Sequence, residues 1–432
     1  MLAKGNASSR TKQSGIVLVL VSLLMLFILA MAAFAIDINH QILNKARLQN
    51  AVDSAALAGA VVADDTLDVT QAETAAIAML NSFAAASGNS EMTFTSGNSA
   101  VTFSADRQSW VDAASFTLPA DEDIYVRVAV TDMPLTQYLS YIFGGNKNVS
   151  ASAVAGRSAA IAYTCNITPV AMCGDPTAAP GEVWGYNPDG YNPNTDRSPS
   201  LIHELKVGDQ DNTDMGPGNF QLLDFSAGDV GSGDDSGGNS GGGSALVRQA
   251  LAGAYNGCAA VGATVTTKPG NSIGPVAQGL NTRLNDFSGP IQNDGTVLPD
   301  KYVREPNNLM QEGGTYSGDL YYADYLNELS ACEGGGSCPG NIYLGDAGQS
   351  GRRVLRVPIV DCTEDSTGKT DFDVLGFGCF FLLQRVENSG QASIFGQFLY
   401  DCMINNGATG NNPTDKGPYR IQLYDDPLSG ES

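Results

Sequence analysis

Eight cysteines and two histidines are the residues of this 432-residue chain best suited to metal, redox or nucleophilic chemistry. Cys165, Cys173, Cys258, Cys332, Cys338, Cys362, Cys379 and Cys402 all fall after residue 164, and nothing before them is cysteine. An even number in a translocated chain favours disulfides formed in an oxidising compartment. The connectivity stays open, except that Cys332 and Cys338 flank a short glycine-rich loop that suggests a pair. Zinc is a poor fit, because no two cysteines stand in C-x-x-C spacing and the histidines are His40 and His203, far apart in sequence.

Carboxylates crowd two stretches, Asp209, Asp211 and Asp214 in one and Asp189 and Asp196 in the other. Calcium is the one cofactor these acidic loops leave open. The EF-hand pattern fails, with Asp214 where the loop glycine belongs and Phe220 where the closing glutamate belongs. A solvated acidic loop is the simpler reading. Gly238-Asn239-Ser240-Gly241-Gly242 matches the hydrolase G-x-S-x-G pattern, but it lies in the glycine- and serine-rich stretch 226–244 with no strand before it. His203 also precedes that serine, where the hydrolase order requires it to follow. Gly368-Lys369-Thr370 lacks the first glycine of a phosphate loop, since that position is Thr363. Neither a catalytic constellation nor a nucleotide site is indicated.

Charge excludes another class of partner. The net charge is −23. Residues 1–164 hold nine Lys/Arg against 13 Asp/Glu, so most of the excess sits on residues 165–432. Such a surface repels phosphate backbones, and nucleic acid is not an expected partner. The tyrosines Tyr186, Tyr191, Tyr316, Tyr321, Tyr322 and Tyr325 are read chiefly as packing for a loop-rich fold, with an aromatic recognition surface as the alternative.

What positions these residues is set at the N-terminus. Residues 15–36 are an unbroken apolar run whose helix would span roughly 33 Å, enough to cross a bilayer once. Lys4, Arg10 and Lys12 precede it without an acid, which places residues 1–14 in the cytoplasm and the remainder across the inner membrane, in the periplasm or at the cell surface. Two processing sites compete with simple anchoring. Ala33-Phe34-Ala35 is an A-x-A site for signal cleavage after Ala35, although the apolar run is longer than a signal core. A pilin-type cut after Gly15 would free the helix as a filament subunit's N-terminus, yet the glutamate that accompanies such cuts is here Leu20.

Asp37–Ala60 continues as helix, free of Gly and Pro before Gly59, with small and apolar residues at three- and four-residue steps. Asp53 among the alanines costs desolvation unless it finds a donor.

The positively flanked apolar helix, the following Asp and the run Leu48-Gln49-Asn50-Ala51-Val52-Asp53-Ser54-Ala55-Ala56-Leu57-Ala58 resemble the N-terminal domain of the TadG-like proteins of the Tad, or tight-adherence, Flp pilus assembly system. The firm resemblance covers about 50 residues, and the stretch to residue 162 resembles the pseudopilin-like part of Tad proteins more loosely. It implies helix packing through Leu48, Gln49, Asn50, Ala51, Asp53, Ala55, Ala56, Leu57 and Ala58, with other Tad pilus or pseudopilin components and the inner membrane as partners. Some members carry a von Willebrand type A metal site, but neither Asp234 to Gly238 nor Asp361 to Asp365 supplies its Asp-x-Ser-x-Ser pattern.

Residues 37–164 are expected to form an α+β domain. A Thr70–Glu73 capping box opens a helix to Gly88, strands follow at 92–96, 100–105, 114–118 and 124–132, a short helix at 133–143, and a last strand at 148–163. Residues 165–432 are expected to form a loop-rich, strand-rich, disulfide-stabilised second domain. Its expected helices are 245–255 and 274–287, and its strands 354–361, 372–386, 392–402 and 419–424. The whole reads as a non-enzymatic, minor pilin-like anchored component of a Tad-type pilus or secretion apparatus. The alternative is a secreted or tip-located adhesin or carbohydrate-binding protein released from its helix.

Overall fold

The computed structural model describes residues 14–118, 123–138, 147–177, 184, 196–205, 220–224, 243–253, 257–267, 273–362, 370–388, 393–399, 402–404, 407–410 and 417–429. The chain divides into two compact units, residues 1–156 with 422–432, and residues 157–421.

The first unit begins with α1, Ser14–Thr66, a single 53-residue helix, roughly 80 Å long at 1.5 Å per residue. It ends at Leu67, whose φ of 54° turns the chain in two residues. α2, Val69–Ala85, then starts on Asp68, whose carboxylate accepts the amide hydrogens of Thr70 and Gln71. The expected Thr70–Glu73 box is thus replaced by the aspartate just before it, a stronger cap because its carboxylate is charged. α2 presents Ala72, Ala76 and Leu80 to the interior.

The sheet of this unit runs in the order β1 (Ser99–Ser104), β2 (Tyr125–Pro134), β3 (Asn148–Arg157), β14 (Ile421–Tyr424). Val126, Val128 and Val130 on β2 are fully buried, as their alternation with Arg127 and Ala129 requires. Residues 92–96 and 114–118 are not strands. Asn98 ties the first into a turn by accepting from the Thr95 amide and donating to the Thr93 carbonyl, and Asp112 caps the second through the Ser115 amide. Met133 and Pro134 belong to β2 and residues 135–138 are not helical, so the described part of the expected helix 133–143 does not form; 139–143 lie outside the described residues. The expected last strand breaks at Ser158–Ala160 into β3 and β4, Ile161–Cys165.

The second unit is built on a mixed sheet of β6 (Ile202–Leu205), β12 (Ile394–Leu399), β11 (Asp371–Leu382), β10 (Val354–Asp361), β5 (Val170–Gly174) and β7 (Phe220–Leu222), with β9 (Thr264–Thr266) also paired to β11. β4 sits between β13 (Gly407–Thr409) and β8 (Cys258–Ala260). Leu355, Val357 and Ile359 of β10 join a core with Val247 and Leu251 of α3 (Gly243–Ala252) and Val276 and Leu280 of α4 (Ile273–Asn281). A second core gathers Tyr302, Tyr316, Tyr321, Phe381 and the inward side of α5, Tyr322–Glu333. Tyr316, Tyr321 and Tyr325 are buried there, so they serve packing and not surface recognition. Tyr186 and Tyr191 lie outside the described residues. The fold is α+β, as expected, although α5 and several short strands carry no clear sequence pattern.

All eight cysteines pair: Cys165–Cys258, Cys173–Cys362, Cys332–Cys338 and Cys379–Cys402. The first joins β4 to β8 and the second joins β5 to the end of β10, closing loops that span 93 and 189 positions. On the chain-entropy account, closures of that length stabilise by about 4–5 kcal/mol each.

Candidate functional site: the anchor helix and its seat

The large apolar side chains of α1 from Ile16 to Phe34 are 51–72% exposed, so no other part of the described chain covers them. A stripe of that length and apolarity requires a nonaqueous surrounding, and 18 or more apolar helical residues fit a bilayer. Among the described residues, α1 is the one helix long and apolar enough to cross a membrane. Gly15 and Ala35 both lie inside unbroken helix, and the Ala35 carbonyl accepts from the Asn39 side chain.

The seat begins at Asp37. Its carboxylate is buried and accepts from Lys147 Nζ at 3.0 Å and from the Tyr138 amide at 3.1 Å. Lys147 also donates to Thr136 O at 3.1 Å, and its ammonium lies 2.9 Å from His40 Nδ1. The other ring nitrogen of His40 faces Glu91 at 3.0 Å, and the imidazole stands edge-on to Tyr138. Asn44, one turn further, is buried and donates to the His40 carbonyl. The segment between β2 and β3 thus grips α1 directly past its apolar run. Removing one partner of such a buried pair leaves an uncompensated charge, while the intact pair fixes geometry more than it adds stability.

Next comes the small-residue face. Leu48, Ala51, Ala55 and Ala56 have no exposed surface, and Ala60 and Ala63 continue the stripe toward α2. Gly59 marks the closest approach. A Cβ there would lie 3.1 Å from Val126, 3.3 Å from the Ala72 carbonyl and 3.3 Å from Ala76. Small side chains let α1 lie close against α2 and β2. Gln49 and Asp53 flank this face half-buried, with Gln49 Nε2 donating to Asp53 Oδ1 at 2.8 Å and to Ser152 O on β3 at 3.0 Å. The donor that Asp53 requires is therefore Gln49 of the same motif. Leu57 and Ala58 are half-buried and Asn50 is exposed. The face expected to meet partner helices is occupied by the chain's own α2 and sheet.

The rest of the chemistry-capable residues do not assemble. Asp189, Asp209, Asp211, Asp214 and Gly238–Gly242 lie outside the described residues, as do Gly368 and Lys369. Among the described residues, no three His, Cys, Asp or Glu side chains are placed to hold a metal ion. Burial depresses the pKa of His203, which lies on β6. A charged interior cluster among the described residues of the second unit is spent mainly on backbone. Asp300 accepts from the amides of Tyr302 and Arg353 and from Tyr325 OH, and its burial pushes its pKa up. Arg353, fully buried, donates to the carbonyls of Leu382, Arg304 and Leu383 and lies 4.6 Å from the Phe381 ring centroid. Every polar end is occupied, which makes this a structural brace.

Sequence reasoning did not find Lys147, Glu91, or the pairing of Arg127 with Asp426. Lys147 was recoverable in part, being the one basic residue between Arg127 and Arg157.

Comparison with known proteins gives one positive result. Residues 15–63 match the Tad family model, described as Flp pilus-assembly TadE/G-like. No curated protein and no solved structure matches the chain. The match starts at the head of the apolar run and ends on Ala63, the last buried small residue of α1, so the anchor and its seat are the part of this chain that is similar to the TadE/G-like proteins of Flp pilus assembly.

Proposed function

We propose that the protein is a non-enzymatic, membrane-anchored structural component of a Tad/Flp-type pilus or secretion apparatus, minor pilin-like in its role. The supporting observation is the coincidence of the family match with α1: one segment supplies both the exposed apolar anchor and the buried face that holds the first unit. Residues 1–14 would lie in the cytoplasm, 15–36 in the inner membrane, 37–164 in a pseudopilin-like domain and 165–432 in an extracytoplasmic, disulfide-bearing domain, apart from 422–432, which fold with the first unit. Contacts with other Tad components run through the exposed flank of α1 and the outer surface, since the Leu48–Ala60 face is filled internally. The disulfides suit the oxidising side of the membrane.

The experiment is capture of a tagged full-length chain from the native cell, with piliation scored in a deletion strain. Co-purification with other Tad components and loss of pili on deletion are expected. Normal pili together with no Tad partner in the capture would refute the proposal.

A further inference from the structure

The far end of the chain supplies the edge strand of the first unit's sheet. β14 lies beside β3, although 263 positions separate Arg157 from Ile421 in the sequence. None of its four residues is fully buried, and Leu423 is 41% exposed. Two side chains fix it. Tyr424 stands edge-on to Tyr125 at 5.6 Å, and the Arg107 guanidinium lies 4.5 Å from the Tyr424 centroid and 5.2 Å from that of Tyr125. Gly156 makes room for this slot, since a Cβ there would come within 2.4 Å of the Tyr125 ring. Two residues on, the buried Asp426 accepts Arg127 Nε on both oxygens, at 3.0 and 2.9 Å, and the Ser152 hydroxyl at 2.5 Å.

We propose that the β3 edge is a strand-accepting site that reads an aromatic residue followed two positions later by a carboxylate, and that in the assembled state the C-terminal segment of a second copy fills it. This rests on the assembly role proposed above. In strand addition, main-chain hydrogen bonds give affinity and side-chain pockets give specificity, and both are present here. The reading groups, Arg107, Tyr125, Arg127 and Ser152, all lie outside the segment they read, so the same contacts form in cis or in trans. With no fully buried side chain on β14, release forfeits little hydrophobic burial. Repeated from copy to copy, such a head-to-tail contact builds an open chain, the geometry a filament-associated subunit needs.

The test uses two full-length copies with different tags in one cell, one carrying a photo-crosslinking residue at Leu423. Crosslinks from Leu423 to β3 of the other tagged copy are expected, and crosslinks confined to one chain would overturn the proposal. A charge exchange provides a second reading. Copies bearing Arg127→Glu and copies bearing Asp426→Arg should regain the intercopy crosslink only when mixed, by about tenfold over either alone. Absence of that gain, while the chain carrying both substitutions folds, would also overturn it. Failure of the Tad assignment shows separately, as missing Tad components in the capture experiment.

Discussion

Lys147 closes a buried ion pair on Asp37, Nζ to Oδ1 at 3.0 Å, across 110 positions of sequence and directly past the apolar run of α1. Both side chains are only 5% exposed. The pair therefore sets the place where the anchor ends and the folded unit begins.

Asp37→Ala or Lys147→Met alone should strand a charge in the interior and destabilise the first unit by about 3–5 kcal/mol. The double substitution Asp37→Leu with Lys147→Met should recover most of that loss. Limited proteolysis of the purified full chain checks this, with cleavage near α2 expected to accelerate in the single variants only.

Gly59→Leu should be more damaging than Gly59→Ala, because the added Cβ already meets Val126 and Ala76 at tight van der Waals distance. Overpacking typically costs 1–3 kcal/mol, so the alanine is expected at about 1 and the leucine above about 3. Replacing Ala55 and Ala56 together by leucine should abolish piliation by disrupting the seat, while membrane extraction behaviour stays as in the unaltered chain. Normal piliation in that double variant would contradict the seat's importance.

Acid should loosen the C-terminal strand. Burial opposes ionisation of Asp426, but the hydrogen bonds from Arg127, Ser152 and the Leu428 amide outweigh it and hold the carboxyl below its ordinary 3.8. A carboxyl lowered on folding contributes stability that is complete above its unfolded value and is lost as pH falls through the folded one. Protection of the 421–424 amides, taken relative to their intrinsic exchange rate at each pH, should therefore fall below about pH 4. In Asp426→Asn the protection should already be lower at neutral pH and should lose this acid-dependent drop.

Cys173→Ala with Cys362→Ala should lower the stability of the second unit by about 2–5 kcal/mol, more than the pair Cys332→Ala with Cys338→Ala. The first bond closes a separation of 189 residues and the second only six. Thermal unfolding under matched oxidising conditions ranks the two.

The elements legible in the sequence were those with long periods or unbroken patterns. α1 announces itself by an uninterrupted apolar run and then by alanines on one face. β10 matches its expected bounds because Leu355, Val357 and Ile359 alternate cleanly over a buried sheet. The Cys332–Cys338 pair was visible because only a short glycine-rich loop separates the two, whereas the other three bonds depend on strand neighbours that spacing does not reveal. Residues 92–96 and 114–118 misled because Asn98 and Asp112 side chains capture the local backbone, which outweighs apolar alternation. The stretch Leu48 to Ala60 was read as a packing surface for partner helices; its Leu48, Ala51, Ala55 and Ala56 are buried against the chain's own α2 and sheet, and periodicity cannot tell such an internal partner from another chain. The strand 421–424 was recognised as a strand, but its place beside β3 is a matter of tertiary pairing alone.

The measurement that bears most directly on the central claim is the intact mass of the native protein in membrane and soluble fractions, before and after reduction. The account predicts a membrane-fraction species that retains residues 15–36, resists alkaline extraction, and rises in mass by about two daltons for each of the four disulfides. A soluble species beginning at Ile36, with no full-length chain in the membrane, would contradict it.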